Sequence, residues 1–328
     1  MTSLHIATDY PLDDLDTARL ASARLRLGVM MDVADKMKLR VSSGFTVRDR
    51  DCLLYLGKLS PATPDSILIQ ILRSLEKHKG RVIVDYTDDW LTSDNERGRL
   101  IYKTILRYCS TVVASSNYLA NQIISWDSSL TVSVIADLLE FQSVEQQDLK
   151  SKSSHMLWFG HPSNLPSLVS WLQDNRLGEF QGTLHAVTAL SSLEMLRPLS
   201  QKQKFSVVGY DWSPENIIAA SSACGACIIP AHKKGASENR LVSALALGLP
   251  TIADKIPSYE QFDQYFVDSS DHPKVEALMR APADFQYLCR NAQQNVIDKY
   301  SRASLSVQWA SFLQDALAPD TPTLSAAV

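Results

Sequence analysis

At 328 residues the chain can form two domains of ordinary size, and 45% hydrophobic with 21% charged residues is the composition of a globular protein with cores to bury. A formal net charge of -4, balanced in both halves, argues against a polycationic nucleic-acid binder. The N-terminal MTSLHIATDYP lacks a secretory build, no apolar run approaches the roughly 20 residues that cross a bilayer, and five cysteines show no disulfide framework, so the expected compartment is the cytoplasm.

In chain order, LHIAT, CLLYL, RVIVDY, TVVAS and TVSVIAD predict strands, with amphipathic helices near 13–28, 64–78, 95–109 and 116–125 between them. Short β-rich runs alternating with helices are the signature of βα units and a parallel sheet. At Phe141 the pattern gives way to FQSVEQQDLKSKSSH, polar and aperiodic, which reads as a linker. The alternation restarts with MLWFG, TLHAVTA, KFSVVGY, CIIP, TIAD and QYFVD. Helices near 165–175, 191–198, 213–223, 238–248 and 271–281 separate these strands. From 283 the chain reads as helical to about Ala316, and APDTPTLSAAV reads as a disordered tail. The expected fold is α/β: two tandem Rossmann-like doubly wound domains facing across a cleft. The boundaries are 1–145, 146–302, a C-terminal helix 303–316 packing back toward the first domain, and a tail 317–328. In such sheets ligands lie at the carboxyl ends of the strands.

One segment, HKKGASENRLVSALALGLPTIAD, has an address on that edge. Ser237 is the predicted N-cap of its helix, and Gly248 with Pro250 the predicted stop. A helix start offers free N–H groups and a positive dipole end. With Lys233, Lys234 and Arg240 beside it, the site suits a multiply charged anion, a diphosphate better than a carboxylate. The plain alternative is a well-capped helix with solvated lysines.

The run SENRLVSALALGLPTIA, followed by PSYEQF, resembles the donor-binding segment of GT-B glycosyltransferases of the family-four, group 1 type. MLWFGHPSN resembles the first strand and loop of their donor domain. FSVVGYDWSPENIIAASSACGACIIP resembles the base-contacting turn with the helix and strand after it, and STVVASSNYLANQI the acceptor-domain strand and helix before the crossover. The resemblance covers about 1–316 and is strongest over 156–262. It implies a glycosyltransferase that moves a sugar from a nucleotide-activated donor to a glycan or lipid-linked acceptor in surface polysaccharide assembly. Lys233, Ser237, Asn239 and Arg240 would hold the diphosphate, and Glu238 stands beside them as a candidate sugar-hydroxyl contact. Gly160 would let the backbone approach the phosphates, His161 would reach a phosphate or hydroxyl, and Tyr210 and Trp212 would either flank the base or pack between the domains. The nucleotide sugar is a co-substrate; no bound cofactor and no metal are implied. The chain departs from the family in one respect: the glutamate pair that many retaining members carry aligns with Gly235 and Ser243, so stereochemistry is not assigned. A sugar-nucleotide epimerase of the same fold, or a non-catalytic nucleotide-sugar-binding relative, stays open as an alternative.

In the first domain, RVIVDYTDDWL places Asp85, Asp88 and Asp89 at a strand's carboxyl end. An inverting transferase needs one such carboxylate to deprotonate the attacking hydroxyl. Asp9 and Asp13, in the loop after the first strand, and Arg24 on the helix after it are candidate acceptor contacts. Arg24 and Arg26 lie two apart, so at most one faces the cleft, and solvation at the surface is the alternative. Arg99, Tyr102, Lys103 and Arg107 suit an anionic acceptor at a membrane surface or ordinary surface salt bridges, with Leu100, Ile101, Ile105 and Leu106 as the apolar face. Cys224 and Cys227 form a C-x-x-C without a second ligand pair, and His5, His78, His155 and His185 show no partner pattern.

Overall fold

The apolar runs of the first half are buried on both faces, as a parallel sheet covered by helices requires. β1 (Ser3–Ala7), β2 (Arg40–Ser43), β3 (Leu53–Leu56), β4 (Val82–Tyr86), β5 (Thr111–Ala114) and β6 (Thr131–Val134) form an all-parallel sheet of order β2-β1-β3-β4-β5-β6. Every residue of β1, β3 and β4 is buried. The helices are α1 (Gly28–Lys36), α2 (Asp65–Lys77), α3 (Glu96–Ile105) and α4 (Asn117–Trp126). Asn95 caps α3 by accepting from the Gly98 amide, and Ser116 caps α4 by accepting from that of Leu119. Gly98 permits a close approach: a Cβ there would meet the Trp90 ring at 2.5 Å. Trp90 in turn stacks on Tyr102 at 5.9 Å.

In the second half, β7 (His155–Phe159), β8 (Thr183–Val187), β9 (Ser206–Tyr210), β10 (Ala226–Ile229), β11 (Thr251–Ala253) and β12 (Val267–Asp268) form a second parallel sheet, of order β12-β11-β10-β7-β8-β9. Its helices are α5 (Leu165–Gln173), α6 (Arg197–Gln203), α7 (Pro214–Ser221), α8 (Asn239–Ala246), α9 (His272–Arg280) and α10 (Gln286–Tyr300). α8 ends at Gly248, whose φ of +70° is the left-handed conformation that a helix stop favours. Ser301, extended, separates α10 from α11 (Arg302–Leu317).

This computed structural model describes all residues except 1–2, 9–11, 13–14, 16–20, 50, 79, 142–148, 150–153, 175, 178–179, 204, 232–234 and 319–328. The chain divides into one unit of Met1–Leu138 with Arg302–Val328 and another of Leu139–Ser301. α11 belongs to the first unit, where Trp309 is fully buried and meets Tyr55 edge-on at 6.1 Å. The predicted linker and tail lie largely outside the described residues.

Four readings of the elements and their faces are corrected. β2 was not among the predicted strands, because RVSS is a polar edge strand with no apolar run. The single helical stretch predicted from 283 is broken at Ser301. Leu100 is 66% exposed although its companions Ile101, Ile105 and Leu106 are buried, because it shares a helix face with Lys103 and Arg107. Tyr102 is 2% exposed and its hydroxyl accepts from the Leu59 amide, so it is a core residue and not part of a basic surface. All five cysteines are buried thiols outside any disulfide. Among the described residues no helix is long and apolar enough to cross a membrane, and no group of three His, Cys, Asp or Glu could hold a metal ion.

Candidate active site

Each sheet reverses its strand order once. In the second unit the chain starts at β7, steps outward to β8 and β9, then returns to place β10 on the other side of β7. The carboxyl ends of β7 and β10 flank this reversal, the place where open α/β sheets bind their ligands. Gly160 follows β7, Pro230 follows β10, and the side chain of Arg240 from the first turn of α8 reaches both. Its Nη2 donates to the Pro230 carbonyl at 3.1 Å. A Cβ on Gly160 would stand 3.3 Å from Arg240 Cδ and 3.4 Å from Asn164 Nδ2, so glycine makes room for the guanidinium. Arg240 Nη1 is buried and has no hydrogen-bond partner among the described residues. A buried donor of a charged group is expensive to leave unpaired, and an anion would satisfy it. Thr188 Oγ1, at the end of β8, is also buried without a partner, a feature the sequence did not signal.

The loop from β10 to α8 is held at its base by Asp254, which follows β11. One carboxylate oxygen accepts from the Ala231 amide (2.8 Å) and the Trp171 indole (2.8 Å). The other accepts from Arg176 (3.2 Å) and from the Ser269 hydroxyl. Lys233, the predicted phosphate contact further along this loop, lies outside the described residues. Ser237 is not the N-cap: α8 begins at Asn239, Glu238 occupies the cap position but its side chain does not cap the helix amides, and Ser237 Oγ accepts from the Asn239 amide at 3.3 Å. Glu238 is 3% exposed, and its two oxygens accept from the Tyr300 hydroxyl (2.7 Å) and the Gln261 amide (2.6 Å). That corrects its reading as a sugar contact; it ties α8 to the end of α10.

His161 is exposed, and its Nδ1 accepts from the Ser163 amide at 3.2 Å, which leaves Nε2 for a ligand. Tyr210 is committed to its own sheet: its hydroxyl lies 3.1 Å from His185 Nδ1, and its ring stacks on that imidazole at 5.9 Å. His185 Nε2 in turn lies 3.0 Å from His155 Nδ1, a chain across three adjacent strands. Spacing in the sequence could not reveal it, because the partners meet only through strand register. Trp212, past the end of β9, is half-buried.

In the first unit the reversal falls between β1 and β3, and a cleft of ≈ 210 Å³ lies there, lined by Thr8, Ser22, Ala23, Phe45, Lys58 and Asp85 among others. Asp85 is 2% exposed and fully engaged. Arg26 Nε donates to both its oxygens (2.9 and 2.8 Å), Arg26 Nη2 to one (2.6 Å), and the Tyr55 hydroxyl to the other (2.6 Å). Arg26 Nη1 also reaches the Ile135 carbonyl and Asp137. Burial works against the Arg26 charge, but Asp85 and Asp137 outweigh it and raise the guanidinium pKa above its ordinary value. Burial, reinforced by Asp85, pushes the Tyr55 phenol well up. An acid so held is a structural counter-ion and not a base, which corrects the reading of Asp85. Arg24 and Arg26 are both buried, 9% and 0% exposed, because the π-helical turn Ala23–Leu27 that carries them is itself buried; neither is a solvated surface residue.

Asp89 accepts from the Thr92 amide (3.1 Å) and the Tyr118 hydroxyl (2.9 Å), closing its own turn. Asp88 is different: it is 34% exposed and forms an ion pair with Lys58 at 2.6 Å. Lys58 was missed in the sequence, where a lysine after the glycine of LYLGK was the only hint. Asp9 and Asp13 lie outside the described residues.

No protein-family model matches the chain, and no curated protein matches it. Solved structures do. HepE of Anabaena, in complex with UDP and glucose, aligns with a TM-score of 0.64 at 14% identity over 96% of this chain and 100% of its own. Sucrose-phosphate synthase of Thermosynechococcus elongatus aligns with 0.67 at 12% identity over 97% and 99%. The DNA-modifying β-glucosyltransferase, studied with and without uridine diphosphoglucose, aligns with 0.56 at 13% identity over 97% and 100%. The chain has the GT-B fold of these glycosyltransferases.

Proposed function

We propose that the chain is a glycosyltransferase that takes its sugar from a nucleoside diphosphate donor bound at Gly160 and Arg240. The observation that carries this reading is the buried, unpartnered Nη1 of Arg240 at the strand-order reversal of the second sheet. HepE forms complexes with UDP and glucose and with UDP-glucose, and the β-glucosyltransferase was studied with uridine diphosphoglucose, which supports the same donor class here. The diphosphate sits between Arg240 and the start of α8, with Trp212 flanking the base. As the glycosidic bond to the leaving diphosphate breaks, Arg240 and the α8 dipole stabilise the developing charge. This is a metal-independent arrangement. The acceptor, a glycan or lipid-linked saccharide of surface polysaccharide assembly, offers its hydroxyl at the first unit's cleft. If configuration inverts, Asp88, held by Lys58, takes the hydroxyl's proton.

Titration calorimetry with UDP and UDP-glucose tests the donor site. Arg240→Ala removes a charge-assisted bond worth roughly 1.5–3 kcal/mol, so affinity is expected to fall by about ten- to a hundredfold with the melting temperature unchanged. A variant that binds UDP as tightly as the parent overturns the assignment.

A further inference from the structure

A second cleft of the Leu139–Ser301 unit shares no residue with the site at Gly160 and Arg240. It has a volume of ≈ 610 Å³, within the roughly 300–1,000 Å³ of small-molecule sites. It opens at the carboxyl ends of β11 and β12. Two ion pairs line it: Lys255 with Asp263 and Lys274 with Asp271, both at 2.7 Å and all four side chains at least 31% exposed. Asp268 and Ser270 lie between them.

The chemistry of this lining selects a ligand class. Three carboxylates stand against two ammonium groups, so an inorganic or phosphorylated anion gains nothing. The two amines exclude a simple cation. A neutral hydroxyl is the group that suits a Lys–Asp pair, because it donates to the carboxylate while accepting from the ammonium. Asp263 supplies a second observation: its Oδ2 takes Lys255, while its Oδ1 is buried with no hydrogen-bond partner among the described residues. The pyrrolidine of exposed Pro273 offers an apolar surface for the C–H face of a ring. Donating to the Asp263 carboxylate raises the Lys255 ammonium pKa, and donating to Asp271 does the same for Lys274, so both stay charged at neutral pH.

From these features we infer that this cleft is a carbohydrate-binding site for a neutral oligosaccharide, separate from the nucleotide site. It has a covalent route to that site. Lys255 directly follows Asp254, and Ser269, between Asp268 and Ser270, donates to Asp254, the residue that anchors Ala231. A saccharide in the cleft therefore bears on the residue that fixes the base of the β10–α8 loop.

The test uses the full chain, ¹⁵N-labelled, titrated with maltohexaose, cellohexaose and chitohexaose. At least one is expected to perturb the amides of 255 and 263–274 and to saturate. The double variant Lys255→Ala, Lys274→Ala is expected to weaken that saccharide at least tenfold while UDP affinity stays at the parent value. Both lysines are mostly exposed, so the fold is expected to survive, and the unchanged UDP titration checks it. Silence from all three saccharides overturns the inference, as does perturbation confined to residues around Gly160 and Arg240. Stronger binding of inorganic phosphate than of any saccharide overturns the neutral class. Failure of UDP to bind overturns the proposed function and leaves the saccharide titration to be read independently.

Discussion

Asp85 and Asp88 stand three residues apart in DYTDD, yet their surroundings give them opposite tasks. Removing one partner of a buried ion pair leaves the other charge uncompensated, at a cost of about 3–5 kcal/mol. Asp85→Asn leaves the fully buried Arg26 with Asp137, at 3.1 Å, as a partial counter-charge, so urea unfolding is expected to show a loss of up to that order. Asp88 is at the surface, and its exposed pair with Lys58 is worth at most about 1 kcal/mol. Asp88→Asn is therefore expected to unfold like the parent and to bind UDP-glucose equally well. In an inverting enzyme its transfer rate, measured once an acceptor is in hand, is expected to drop by roughly a hundred- to ten-thousand-fold. Unchanged turnover in an enzyme shown to invert would remove Asp88 as the base. The cluster of three aspartates at a strand's end was legible from the residues alone. Which of them is consumed internally was not, because Arg26 lies 59 positions away and meets Asp85 only when the buried turn before α1 packs on the sheet.

Among the elements, the strands with continuous apolar runs and the helices with a clear 3.6 period could be read from sequence, since burial on two faces or one leaves a periodic trace. β2 left none, because an edge strand with exposed side chains needs only backbone pairing to β1. The link from α8 to α10 was equally hidden. Glu238 and Tyr300 are 62 positions apart, and their bond of 2.7 Å is buried. Tyr300→Phe takes away one donor to a carboxylate that is 3% exposed and leaves Gln261 as a remaining partner. An unsatisfied buried acceptor costs about 1–3 kcal/mol, more when charged, and the unfolding free energy is expected to fall by at least the lower figure. The start of α8, which carries Arg240, is anchored by that same carboxylate. UDP affinity is therefore expected to weaken together with stability; a Tyr300→Phe variant with parental stability would show that the bond is not a tie between the two helices.

For the molecule as a whole, each unit contains a histidine kept neutral by its burial, and this sets a common response to acid. In the first unit His5 is 4% exposed, with Nδ1 2.8 Å from Ser42 Oγ and Nε2 2.8 Å from the Gly44 carbonyl, a geometry the neutral ring satisfies by accepting at one nitrogen and donating at the other. In the second unit His185 is 6% exposed between His155 and Tyr210. Burial lowers both pKa values below the ordinary 6.5; the Gly44 hydrogen bond partly offsets this at His5, and the neighbouring His155 adds to it at His185. Above pH 6.5 both rings are neutral in the folded and unfolded chains alike, and their contribution to stability is fully present. As the pH falls below 6.5 the unfolded chain takes up protons that the folded chain resists, so stability is lost until the lower folded values are passed. Each ring contributes a slope of at most about 1.4 kcal/mol per pH unit in that window. Melting temperature measured from pH 7.5 to 5 is expected to decline below 6.5. His5→Asn is expected to flatten the decline of the first unit and His185→Asn that of the second, each followed by backbone amide signals of its own unit. Stability that holds level or rises from pH 6.5 to 5 would mean that neither ring is excluded from protonation by the fold.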